Sequence, residues 1–181
     1  MFPQGKLLGR FASFPFDICR IQSGKVVSLR DRAVQTKEGR ASFDVELHDG
    51  KVIPALGDDF LGPNGMSMRP PTPYFINFAE NFGGKRVVVF RVPKGTALPN
   101  TLTLLHEHTD HYSLQTTVPC SLSELNQRLT KFLHEHAEAL TVQGLAKRSI
   151  EGKLNLNWTS RICVFGTEKS GGRKPVVVPR P

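Results

Sequence analysis

The stretch that most constrains the fold is residues 85–133, KRVVVFRVPKGTALPNTLTLLHEHTDHYSLQTTVPCSLSELNQRLTKFL. VVVFRV at 87–92 is a near-continuous apolar run of strand length, the pattern of a central strand covered on both faces. Pro93-Lys94-Gly95 is a turn, and TLTLL at 101–105 is a second buried strand. Ser121 and Glu124 have the spacing of a capping box, and they precede an apolar stripe of Leu122, Leu125, Leu129, Phe132, Leu133 and Leu140. That stripe is core packing, and His134 and His136 are expected to face solvent. Strands joined by short turns and then a capped helix call for an antiparallel, strand-rich α+β domain with few helices.

Between the second strand and the helix lies the densest polar chemistry of the chain: His106, His108, Asp110, His111, Tyr112 and Ser113. HEHTDH satisfies the H-x-H-x-D-H pattern, which looks like the dinuclear metal motif of the metallo-β-lactamase fold, and imidazoles with a carboxylate suit zinc. If the strand continues through the run, however, alternation puts His106, His108 and Asp110 on one face and Glu107, Thr109 and His111 on the other. Metal binding therefore requires a loop here. Ligand supply also weighs against it. The later histidines are His134 and His136, two apart in an expected helix, and past Glu138 there is neither histidine nor aspartate.

The rest of the chain divides by composition. Residues 1–13 read as a leader, and FPFDICRI at 14–21 reads as the first buried strand, with Arg20 near its end. Lys25–Arg40 suits a loop or broken helix. SFDVEL at 42–47 alternates, and Asp49-Gly50 before KVIPAL signals a hairpin. Residues 57–74, GDDFLGPNGMSMRPPTPY, are too rich in Gly and Pro for a regular element. Asn64, Gly65, Met66, Ser67 and Arg69 there set a glycine beside a hydroxyl and a cation, which lets backbone and donors converge on a phosphate or sugar. FINFAENF at 75–82 fits a short helix or a strand. Residues 144–181 read as a basic, partly disordered extension holding eight Lys/Arg against two Glu, so most of the net charge of +8 belongs to this tail. Three scattered cysteines suggest buried thiols in a reducing compartment, and no apolar run reaches the length of a membrane span.

FDICRI, GMSMRP and the block VFRVPKGTALPNTLTLLHEHTDHYSLQTTVP followed by SLSELNQRLTKFL together resemble the ADP-ribosyltransferase toxin family named after a type VI secretion exported toxin (Tse-two). Fungal members look especially close in GMSMRP and LLHEHTDHYSLQ. The resemblance covers roughly residues 16–133 and outweighs the six-residue metal pattern because its segments keep order and spacing. It implies an α+β fold in which two small split antiparallel sheets embrace NAD, here a substrate, within a toxin domain spanning 14–143. Catalytic roles would fall to Arg20, Ser67, His111, Tyr112 and Gln115, and NAD contacts to Arg20, Gly65, Met66, Ser67, Arg69, Tyr112 and Ser113, with no metal. In this picture Arg20 meets the phosphates or ribose, Ser67 orients the nicotinamide ribose, and Tyr112 stacks on nicotinamide. The superfamily's usual glutamate at the last motif has no counterpart in that frame, and Gln115 or Glu107 stands nearest to replacing it.

The function expected is cleavage of the nicotinamide–ribose bond, by transfer to an unknown protein or nucleic-acid acceptor or by glycohydrolysis. It would be carried out in the cytoplasm, in a target cell if the toxin is delivered, and countered by an immunity partner. Two other readings stand beside it. One is a metal-dependent hydrolase on HEHTDH; the other is a non-catalytic binding module whose basic tail contacts nucleic acid or an acidic partner.

Overall fold

The computed structural model describes residues 7–55 and 62–154. Three antiparallel sheets and four helices make up this part. The largest sheet has β1 (Gly9–Phe11), β7 (Leu102–His108), β8 (His111–Thr116) and β5 (Met66–Met68) in that order. A second holds β10 (Glu138–Leu140), β6 (Val87–Val92) and β2 (Ile18–Ser23). The third is small: β3 (Leu47–His48), β4 (Lys51–Val52) and β9 (Cys120–Ser121). The helices are α1 (Arg32–Lys37), α2 (Pro73–Glu80), α3 (Leu122–His136) and α4 (Val142–Ile150). The fold is the expected α+β arrangement of small split antiparallel sheets.

β6 is the middle strand of its sheet and is covered on both faces, as its near-continuous apolar run requires. Phe90 and Val92 enter the main core with Ile18, Leu104, Leu114, Leu129 and Phe132. Val89 joins Cys19, Ile21, Phe75 and Leu145 in a second cluster under α2 and α4. In α3 the capping box is complete, with Ser121 Oγ accepting from Glu124 N while the Glu124 carboxylate accepts from Ser121 N. Leu125, Leu129, Phe132 and Leu133 are buried, and His134 and His136 are exposed. The Asp49-Gly50 hairpin forms with both residues at positive φ, 51° and 73°, the backbone that a two-residue turn of this hand demands.

Several local expectations are corrected. Leu140 lies in β10 rather than on the α3 stripe, because α3 ends at His136. The 14–21 run becomes strand only from Ile18; Asp17 before it is buried and accepts from the Arg91 guanidinium and from Lys94 N. Most of 42–47 is not strand, because Asp44 turns inward and takes a two-pronged ion pair from Arg30 at 2.8 and 3.0 Å. Residues 73–80 are helix, started by Thr72 capping Phe75 N with Pro73 at the first position. From the segment read as a leader, Gly9–Phe11 pairs with Leu104–His106 as an edge strand. α4 carries ordered structure past residue 144 and buries Leu145. The disorder expected of the tail from residue 155 onward lies outside the described residues.

Candidate functional site

The two long sheets meet at one corner, where Cys19 of β2 and Arg69, just past β5, exchange backbone hydrogen bonds of 2.7 and 2.9 Å. This crossing sets Arg20 beside Ser67, whose carbonyl accepts from the Arg20 guanidinium at 3.1 Å. Both residues line a cavity of about 570 Å³ whose wall also holds Gln22, Arg30, Asp44, Arg69, Tyr74 and Phe78. The size lies within the roughly 300–1,000 Å³ of small-molecule sites. A neighbouring hollow of about 610 Å³, lined by Thr72, His108 and Asp110 among others, shares Arg69 and Tyr74 with it.

Charge is unevenly committed on this wall. Arg30 is paired with the buried carboxylate of Asp44, and Arg69 with Asp110. Arg20 has no carboxylate within ion-pair distance among the described residues; besides Ser67 it reaches the amide oxygen of Gln22 at 3.4 Å. Burial lowers its pKa from the usual guanidinium value, with Asp44 opposing that shift and Arg30 adding to it. It remains a cation with donors to spare, which is what an entering anion needs. The rim is aromatic. Tyr74 and Phe78 are 67% and 44% exposed, lie four apart on one face of α2, and offer flat surfaces to a ring system.

β5 and β8 are neighbours in register, with Met66 opposite Leu114, Ser67 opposite Ser113 and Met68 opposite Tyr112. The serine segment and the histidine-rich segment therefore meet although they are distant in sequence. Alternation decides what each residue can reach. Met66 and Tyr112 turn into the core, at 0% and 4% exposure. Tyr112 is stacked on His106 with centroids 4.2 Å apart and edges onto Phe16. Its ring is enclosed and lies outside the cavity lining, so the expected nicotinamide stack has no open face on this side. Ser113 is also buried and accepts from the amide of Gln115, which is itself 0% exposed. Gly65 is packed so closely that a Cβ there would sit 2.6 Å from the Leu114 carbonyl. Of the proposed residues, the cavity wall gathers Arg20, Ser67 and Arg69; Gly65, Met66, Tyr112, Ser113 and Gln115 support it from within.

His111 stands behind Ser67. Its Nε2 lies 2.7 Å from Ser67 Oγ and its Nδ1 2.6 Å from Glu107 Oε2. The register shift of β7 between His106 and His108, just before the tight turn at Thr109-Asp110, sets the Glu107 carboxylate against the His111 ring. The H-x-H-x-D-H set is thereby divided. His106 donates to the Thr109 carbonyl and Asp110 pairs with Arg69. Glu107, His108 and His111 keep ligand atoms within 4.8 Å of one another, but both nitrogens of His111 are already engaged. Burial lowers the pKa values of His106 and His108, which keeps both rings neutral.

Sequence reasoning missed Tyr74, Phe78, Arg30 and Asp44. The aromatic pair could have been found from Thr72-Pro73, a helix start that puts residues 74 and 78 on one face.

The fold is a split antiparallel α+β arrangement with an arginine and a serine lining one cavity at the sheet crossing. The sequence matches the Tse2 ADP-ribosyltransferase toxin family over residues 16–144, and the chain belongs to that family. Comparison with curated proteins and with solved structures gave no match. No helix among the described residues is long and apolar enough to cross a membrane.

Proposed function

We propose that the chain binds NAD in the cavity between β2 and β5 and cleaves its nicotinamide–ribose bond, passing ADP-ribose to a macromolecular acceptor or to water. The observation that carries this is the meeting of Arg20, which has no carboxylate partner among the described residues, and Ser67 on one cavity wall. Arg20 anchors the pyrophosphate, Ser67 faces the nicotinamide ribose, and Tyr74 and Phe78 cover a ring. The stacking surface is thus assigned to α2 in place of Tyr112. Membership of an ADP-ribosyltransferase family makes NAD the substrate to test first. An oxocarbenium-like state at the ribose needs a nearby negative charge, which the Gln115 amide cannot give; Glu107, reached through His111, is the buried carboxylate closest by hydrogen bonding to Ser67. Action inside a target cell, an immunity partner and a protein or nucleic-acid acceptor complete the reading as a toxin.

Calorimetric titration of NAD tests the site. Arg20→Ala should weaken binding by about 10- to 100-fold, as loss of a charge-assisted contact does, while the thermal unfolding midpoint stays close to wild type. Equal NAD affinity in wild type and variant rejects Arg20 as the anchor.

A further inference from the structure

Ser67 Oγ, the His111 ring and the Glu107 carboxylate form a continuous chain of two short hydrogen bonds, 2.7 and 2.6 Å. A carboxylate can only accept, so Glu107 holds the proton of the neutral imidazole on Nδ1 and leaves Nε2 to accept from the serine hydroxyl. Glu107 is 8% exposed, and its Oε1 has no hydrogen-bond partner among the described residues. A hydroxyl that merely orients a ribose needs no such backing. A base locked in the proton-accepting tautomer, with a buried anion behind it, is the arrangement that turns a serine into a nucleophile.

Resting on the NAD reading above, we propose that Ser67 is the first acceptor of ADP-ribose, so that the reaction runs through a covalent ADP-ribosyl-serine enzyme. As the C1″–N bond breaks, its electron pair goes to the pyridinium nitrogen and neutral nicotinamide leaves. Ser67 Oγ forms the new bond to C1″, and its proton passes to His111 Nε2. Glu107 compensates the imidazolium. In the second step water or an acceptor hydroxyl attacks C1″ and releases its proton to solvent, while the C1″–Oγ bond breaks and Ser67 Oγ takes back the proton held on His111 Nε2. Two displacements give net retention at C1″. The relay also accounts for the missing glutamate of the last motif: the anion is present, but it acts through an imidazole. Glu107 is therefore a positioning residue, and Ser67 and His111 are the reacting pair.

The test uses the full chain and NAD carrying an arabino-configured fluorine at C2″, which slows the second displacement more than the first. Intact-mass spectrometry of the wild type should find one added ADP-ribose, mapped to the peptide containing Ser67. Ser67→Ala should carry none. Glu107→Gln, which keeps size and hydrogen bonding, should form the adduct roughly 10³-fold more slowly and lower kcat on NAD with KM nearly unchanged, a split that a purely structural role would not give. Thermal unfolding of each variant separates chemistry from misfolding, and His111→Gln serves if Ser67→Ala does not fold. Nicotinamide release by the wild type with no adduct, an adduct on another residue, or a Glu107→Gln rate equal to wild type overturns the covalent step while leaving NAD cleavage standing. Absence of nicotinamide release altogether removes both.

Discussion

At the scale of single residues, the candidate site depends on contacts that leave little room for change. Gly65 sits where any side chain meets the Leu114 backbone, so Gly65→Ala has to push β5 away from β8 and with it Ser67 from His111. The variant is expected to lose about 1–3 kcal/mol of stability by overpacking, measured in urea melts, and to lose Ser67-dependent activity further than that. A wild-type midpoint would mean that the two strands can part without cost. His106 makes a second, pH-dependent case. Burial lowers its pKa while its ring stacks on Tyr112. The unfolded chain binds that proton more readily than the folded one, so stability is full above about pH 6.5, the unfolded value, and falls as pH drops through it toward the lowered folded value. His106→Phe preserves the stack and should flatten this decline in the thermal midpoint between neutral and mildly acidic pH; an unchanged slope would assign the decline to other groups.

At the scale of elements, legibility followed periodicity. α3 and β6 could be read because a capping box and a near-continuous apolar run each have one physical solution, and both formed, α3 without Leu140. The turn at Asp49-Gly50 was equally plain. What sequence could not supply was the identity of neighbours. Asp44 breaks the alternation of 42–47 because Arg30, fourteen positions earlier, draws it inward. Tyr112 and Gln115 turned out enclosed because β8 is flanked by β7 and β5, a pairing of three segments that no local pattern encodes. By contrast Ser67 and Arg20 were left half-buried against the cavity by the same alternation, one residue out of phase with the buried Met66 and Met68 or Cys19 and Ile21. The short helix α2 supplies the aromatic rim, so Tyr74→Ala should raise the NAD dissociation constant by about 2- to 12-fold, the worth of a stacked ring, without altering the melting curve. An unchanged dissociation constant would remove α2 from the site.

At the scale of the molecule, the cavity lies where the two long sheets, which share the main core, are joined by one backbone bridge. β2 and β6 are held from behind by α2 and α4, and an ion-pair chain from Asp17 through Arg91 and Glu138 to Arg148 ties α4 to them. The four-stranded sheet is held by α3 and the main core. Where the two bodies cross, at Cys19 and Arg69, backbone pairing keeps the edges together while side chains of opposite sheets face a common space. A dinucleotide bound there would touch both, with its phosphates on β2 and its reactive ribose on β5. The most direct test of this account is release of labelled nicotinamide from NAD by the purified chain, compared with Arg20→Ala and Ser67→Ala of equal thermal stability. Release by the wild type and its loss by at least about 10²-fold in both variants is the predicted result; wild-type release that persists undiminished in both, or no release from any, contradicts it.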